Sequence, residues 1–222
     1  MNTLRPSMFA GCHASLLALL TSALLWGGFA PARATMVEEL SEADRARLEK
    51  GDDVLITREI EGAAWPEVSI YRKVKATPQG VTELFLDYEH ANTFIANLKS
   101  AVVENEPDAN TKDVRYTVKL PVLFTISYLV RNRYEKTPEG YTVHWNLLES
   151  IFAKSAVGRL RVEPHGDLAV ICYANHVEPA TKLVAGLRSL AIKEASKTVD
   201  AIVKEAERRH TTAGFAPDAA KP

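Results

Sequence analysis

Apolar and polar positions alternate with a period of two along most of the chain, interrupted by helical spacing in the middle and again near the end. In "DVLITREIEG", Val54, Ile56 and Ile60 share one face, with Thr57 and Glu59 on the other. "EVSIYRKVKA" repeats the alternation through Val68, Ile70 and Val74, and the intervening "GAAWP" predicts a turn, so the two segments read as paired strands. Ahead of them, Ser41-Glu42-Ala43-Asp44 has the form of a capping box with Asp in place of Glu. It predicts a short helix ending at Gly51.

Thr77-Pro78 then opens a helical section, with Thr as N-cap, Pro at the first helical position, and Val81, Leu84 and Phe85 on one face. "DYEHANTFIANL" predicts a second short helix or turn that points Phe94, Ile95 and Leu98 inward. A meander of six strands follows over 102–106, 114–120, 124–136, 141–149, 156–163 and 168–177. Placing the tight turn at Pro121-Val122-Leu123 sets Val114 opposite Val130, Tyr116 opposite Tyr128, Val118 opposite Ile126 and Leu120 opposite Phe124. The other face then pairs Asp113 with Arg131 and Thr117 with Ser127, so one face is apolar and aromatic and the other polar. Across "TPEG", Asn132 falls opposite Trp145. A turn at "HG" would set Leu160 against Ile171 and Gly158 against Tyr173. From Pro179 to Arg209 a broad apolar stripe through Leu183, Val184, Leu187, Leu190, Ala191, Ala195, Thr198 and Ile202 predicts one long helix.

A sheet with one apolar face and a helix with one apolar stripe bury each other, which makes this an α+β protein: a curved antiparallel sheet wrapped around a long C-terminal helix. A strongly curved sheet leaves a cavity against a straight helix, and the short helices after the second strand would cap its end. The order of elements, "LFLDYEHANTFIANLKS", Gly158 in "SAVGRLRVEP", the hairpin "GDLAVICYANHVEP" and the terminal helix together resemble the START-like (SRPBCC) superfamily. The resemblance is to its polyketide cyclase/dehydrase and coenzyme-Q-binding branch, and it covers residues 54–209. It implies a helix-grip fold with a deep hydrophobic pocket for lipids, sterols, quinones or polyketides, and it transfers no catalytic residue.

The first residues change the picture of where such a domain works. Arg5, the apolar run Ser15–Ala30 and Ala32-Arg33-Ala34 have the layout of a secretory signal peptide cleaved after Ala34. The apolar run is short for a membrane span. The expected organisation is therefore a signal peptide over 1–34, an N-terminal helical segment over 35–50, a ligand-binding domain over 51–209 and a mobile tail over 210–222. Localisation would be periplasmic or secreted. Processing removes Cys12 and leaves Cys172 alone, so no intrachain disulfide is expected and the core must hold the fold. Arg5 and Arg33 leave with the leader, so 27 basic residues become 25 against an unchanged 28 acidic ones. Nothing in that balance favours nucleic acid.

Candidate chemistry follows from facing. Tyr116, Tyr128 and Trp145 fall on the inward face, either lining a pocket or forming a structural aromatic cluster. Inward Asn132 could orient a ligand carbonyl or hydroxyl, or bond a strand carbonyl or a buried water. Phe94, Phe124 and Leu187 complete the expected apolar lining. Arg131 and Arg133 read as charges on the solvent side, while the facing of Arg72 and His176 stays open. The histidines show no metal-ligand spacing, and neither Asp87 nor His176 has a nucleophile partner, so no metal, cofactor or catalytic residue is expected. The reading favoured is an exported binding or carrier protein for a hydrophobic small molecule, with transient contact to a membrane. The alternative is a cyclase/dehydratase-like enzyme that uses the same pocket groups.

Overall fold

The computed structural model describes residues 35–119 and 125–214. Residues 1–34, expected to form a leader, and residues 120–124, expected to carry a turn between Leu120 and Phe124, lie outside them. Among the described residues, eight strands form one antiparallel sheet: β1 (Val54–Arg58), β2 (Glu67–Val74), β3 (Leu98–Asp108), β4 (Thr111–Lys119), β5 (Thr125–Thr137), β6 (Gly140–Ser150), β7 (Ala153–His165) and β8 (Leu168–Pro179). Their spatial order is β1-β2-β8-β7-β6-β5-β4-β3, so the meander from β3 to β8 ends beside β2. Among the described residues, four α-helices accompany the sheet: α1 (Glu42–Glu49), α2 (Pro78–Leu86), α3 (Lys182–Ala185) and α4 (Arg188–Gly214), with a 3-10 helix at Tyr88–Thr93.

The helix starts follow their capping chemistry. Ser41 accepts from the Asp44 amide at 3.1 Å, and Thr77 accepts from the Gly80 amide at 3.1 Å ahead of Pro78. The C-terminal helix departs from expectation. β8 runs on to Pro179, α3 is a single turn, and the helix is interrupted at Gly186-Leu187 before α4 begins. Leu183 in α3 and Leu187 in the interruption are 84% and 40% exposed, so neither lies on the buried stripe. α4 also continues to Gly214, so residues 210–214, expected in the tail, are helical.

The β4–β5 register is the expected one, with Val114 opposite Val130, Tyr116 opposite Tyr128 and Asp113 opposite Arg131. Asn132 does face Trp145. The β7–β8 hairpin differs by two residues: Leu160 pairs with Tyr173 and Gly158 with Asn175. Its physical cause is Gly166, whose φ of 61° takes the left-handed position, so the turn is Gly166-Asp167 and His165 already pairs with Leu168. A slip of two preserves which face each side chain takes but moves its partner along the strand.

On the inner face the core is aliphatic where β2, β7 and β8 meet α4. Ile70, Val74, Leu160, Val162 and Ile171 pack there against Val199, Ile202, Val203 and Ala206, with Val81 and Leu84 of α2 closing the end. The outer face of the same strands is covered as well. Met36, Leu40 and Leu48 of the N-terminal segment pack on Val54, Tyr71, Val170, Cys172 and Ala174. Buried Glu163 anchors that segment: it accepts from the Met36 amide at 2.8 Å and from Arg161 at 2.6 Å, while Arg161 also holds Glu39. A buried carboxylate is tolerated only with such partners.

Candidate ligand-binding site

The other half of the inner face, on β4, β5 and β6, is aromatic. Period-2 alternation points Tyr116, Tyr128, Asn132, Tyr134 and Trp145 to one side, and Tyr173 joins them from β8. Tyr116 stacks on Tyr128 with ring centres 5.6 Å apart, and Tyr88 of the 3-10 helix meets Tyr116 edge-on at 6.4 Å. Trp145 packs on Tyr173 at 5.1 Å and on Phe85 of α2 at 6.0 Å. The sequence reading placed Tyr116, Tyr128, Asn132 and Trp145 on this face. It missed Phe85, Tyr88, Tyr173 and Asn175, although Tyr173 and Asn175 share the parity of Ile171 and could have been assigned from alternation.

Tyr116, Tyr128, Trp145 and Tyr173 are only half-buried, unlike the aliphatic residues beside them. Yet desolvation dominates their phenols: burial pushes the Tyr116 hydroxyl well above its ordinary range, Tyr128 up to about 12, and Tyr173 upward too. These hydroxyls are thus neutral donors and acceptors at any physiological pH. Tyr88, 4% exposed, carries a hydroxyl with no hydrogen-bond partner. Buried polar groups are ordinarily paired. Among the described residues the only other buried side-chain atom left so is His176 Nδ1.

Asn132 is 4% exposed, and its amide reaches only the Val130 carbonyl at 3.5 Å, a weak bond. It also lies close enough to the Tyr116 hydroxyl to oppose the rise there. Trp145 Nε1 donates to Asn175 Oδ1 at 3.1 Å. The Trp145 ring fits because residue 158 is glycine: a Cβ there would stand 2.4 Å from Trp145 Cζ2 and 2.5 Å from the Ala174 carbonyl oxygen. Phe94 is partly buried between the 3-10 helix and α4, with the Arg209 guanidinium 5.9 Å from its ring centre.

The charged groups near this face hold structure together. Burial alone would raise the Asp87 carboxyl, but hydrogen bonds from His90 and Arg209 overcome it and hold the group below its ordinary range. Arg72 faces α4 and is spent on Asp53 and Asp200. His176 has the outer-face parity of Cys172 and Ala174 and lies opposite Val157. No group of three potential metal-ligating side chains occurs among the described residues.

Between α4 and the sheet a pocket of about 40 Å³ opens at the Trp65 end, lined by Trp65, Val68, Asn175, Val177, Ala191 and Ile192. A larger cleft, about 630 Å³, lies on the outer face around Arg131, Arg133, His144 and Arg159. Sequence reasoning treated that face as solvent-exposed only.

No family model matches the sequence, and no curated protein matches it either. Solved structures do. A STAR-related lipid transfer protein from Xanthomonas axonopodis superposes with a TM-score of 0.62 at 14% identity, over 69% of this chain and 93% of that one. The Zhui aromatase/cyclase from a Streptomyces species gives 0.55 at 17% identity, covering 67% and 97%. Human STARD10 gives 0.56 at 15% identity, covering 72% and 74%. The chain has the START-like helix-grip fold. Within that fold the gripped helix is α4, and the aromatic half of the inner face lies on the strands furthest from its packed end.

Proposed function

We propose that this START-like protein is an exported carrier that binds a hydrophobic small molecule, of the lipid, sterol or quinone class, against the aromatic half of its inner face. The observation that carries the reading is the set of half-buried, desolvated rings with an unpartnered Tyr88 hydroxyl and a weakly bonded Asn132 among them. An apolar surface with a few convergent polar groups is what an apolar ligand with one or two polar atoms requires. Export rests on the leader pattern of residues 1–34. The similarity to a lipid transfer protein supports a ligand of this kind.

A pocket of about 40 Å³ is too small for such a ligand, since ligand pockets run to about 300–1,000 Å³. Loading therefore calls for the N-terminal half of α4 to move. That half is only partly buried, it follows the interruption at Gly186-Leu187, and the α3 turn just ahead of it is held by the Trp65 indole donating to the Ala185 carbonyl at 2.8 Å. Ile151, Leu183 and Leu187 project from the same rim, 80%, 84% and 40% exposed, beside Lys182. Such a rim suits transient contact with a membrane during loading.

The test is native mass spectrometry of the mature chain purified from the cell envelope, with solvent extraction of whatever accompanies it. A stoichiometric apolar adduct, lost in Tyr128→Ala, is expected. A bare protein mass, together with no uptake from a panel of lipids, sterols and quinones, would overturn the reading. Similarity to an aromatase/cyclase favours a second reading, in which the neutral tyrosine hydroxyls act on the bound molecule. Recovery of an extracted ligand chemically changed after incubation would select it.

A further inference from the structure

The outer-face cleft has a composition the carrier function does not use. Strand register sets Arg133 opposite His144 and His144 opposite Arg159, so three potential cations stand side by side on β5, β6 and β7. Neighbouring strands lie about 4.8 Å apart, and like charges placed directly opposite one another are destabilising. Carboxylates do not fully answer this row. Glu135 takes Arg133 at 3.2 Å and reaches His144 only at 4.0 Å, and Arg159 has no carboxylate within ion-pair distance among the described residues. In the adjacent row Asp113 neutralises Arg131 through two bonds of 2.7 and 2.9 Å, and Asn146 stands next to it, its side-chain amide without a hydrogen-bond partner among the described residues.

The floor leaves room for a molecule. Ala174 lies opposite Arg159 on β8, so no long side chain fills the space between that arginine and the covered part of the face. Half-exposed Val157 adds an apolar wall. Two carboxylates, Glu67 and Asp108, stand among the lining residues, and Glu67 is already paired with Arg58 at 3.2 Å. A volume of about 630 Å³ is within the range of small-molecule sites.

We propose that this cleft binds the phosphate group of a phosphate monoester, with Arg133 and Arg159 as the two guanidinium clamps, His144 between them and Asn146 donating from the next row. Guanidinium groups match phosphate oxygens in a two-bond fork, which a lysine cannot reproduce. The same chemistry is offered by a soluble phosphate monoester or by a lipid headgroup.

The experiment is calorimetric titration of the mature chain with glycerol phosphate, with sodium chloride at equal ionic strength as control. Saturable binding is expected, weakened at least ten-fold by Arg159→Gln and by Arg133→Gln, and unaltered by Tyr128→Ala on the other face. Arg159→Lys, which keeps the charge but not the fork, should weaken it by less than Arg159→Gln. Sedimentation with phosphatidylcholine vesicles containing phosphatidic acid separates the sources. Vesicle capture that needs Arg159 and is competed by glycerol phosphate assigns the headgroup; solution binding without capture assigns a soluble ester. A response matched by chloride, or unchanged in a folded Arg159→Gln chain, overturns the proposal. The inner-face reading survives either result, because its readout is the apolar adduct.

Discussion

The two halves of the inner face obey different rules. Around β2, β7 and β8 the side chains are mostly aliphatic, fully buried and clamped by α4; around β4, β5 and β6 the half-buried rings of Tyr116, Tyr128 and Trp145 stand among buried Val114, Val130, Asn132 and Val143. Aliphatic side chains fill space without needing partners, so that half can be closed completely. Tyrosines and asparagines cannot be sealed in without partners for their polar atoms, and here several lack good ones. One half holds the fold together, and the other keeps surface in reserve for a ligand.

That division can be broken by mutation, most severely in the packed half. Leu160→Ala removes a side chain 1% exposed and should destabilise by about 2–5 kcal/mol, read by urea unfolding, with little direct effect on ligand contacts. Gly158→Ala strikes the seam between the halves: its Cβ would collide with Trp145 and with the Ala174 carbonyl, so a loss of about 1–3 kcal/mol is expected. Tyr128→Ala in the aromatic half should cost about 1 kcal/mol, the order of a lost ring pair, yet abolish the apolar adduct. Equal destabilisation by Leu160→Ala and Tyr128→Ala would erase the comparison.

Two smaller effects sharpen it. Trp65→Phe deletes the bond to the Ala185 carbonyl, and stopped-flow uptake of a fluorescent lipid should be faster while the melting temperature falls by only a few degrees. Glu205 anchors the packed end of α4: hydrogen bonds from Arg208 and Arg209 hold its carboxyl at about 2. A depressed carboxylate contributes stability that is present above its unfolded value and lost as pH falls toward the folded one. Stability should therefore drop between about pH 4.5 and pH 2, and Glu205→Gln should flatten that part of the profile.

How much of this was legible depended on what each feature needs. Val114, Tyr116 and Val118 alternate cleanly, so their face and their partners followed from period alone. The β7–β8 partners required knowing that Gly166, not His165, occupies the first turn position, which alternation does not encode. Leu183 and Leu187 carried the helical spacing of their neighbours, but they stand ahead of α4, in α3 and in the interruption after it, where they are exposed. The cover on the outer face was hidden because Met36, Leu40 and Leu48 are too few and too irregularly spaced to mark an apolar face. The arginine row was hidden for another reason: residues on a polar face read as solvated, and their convergence appears only once β5, β6 and β7 are in register.

The strand order also bears on how the chain reaches its fold. β3 to β8 can pair one hairpin at a time, each turn closing a short loop. β1 and β2 cannot join the sheet until β8 exists, and the N-terminal cover waits for Glu163, 127 residues from the Met36 amide that it accepts. Non-local closure of this kind slows folding and leaves the edge of β8 open to wrong partners until it happens. The first residues of the domain to be synthesised are thus the last to be fastened, and the N-terminal segment works as the clasp that ends assembly.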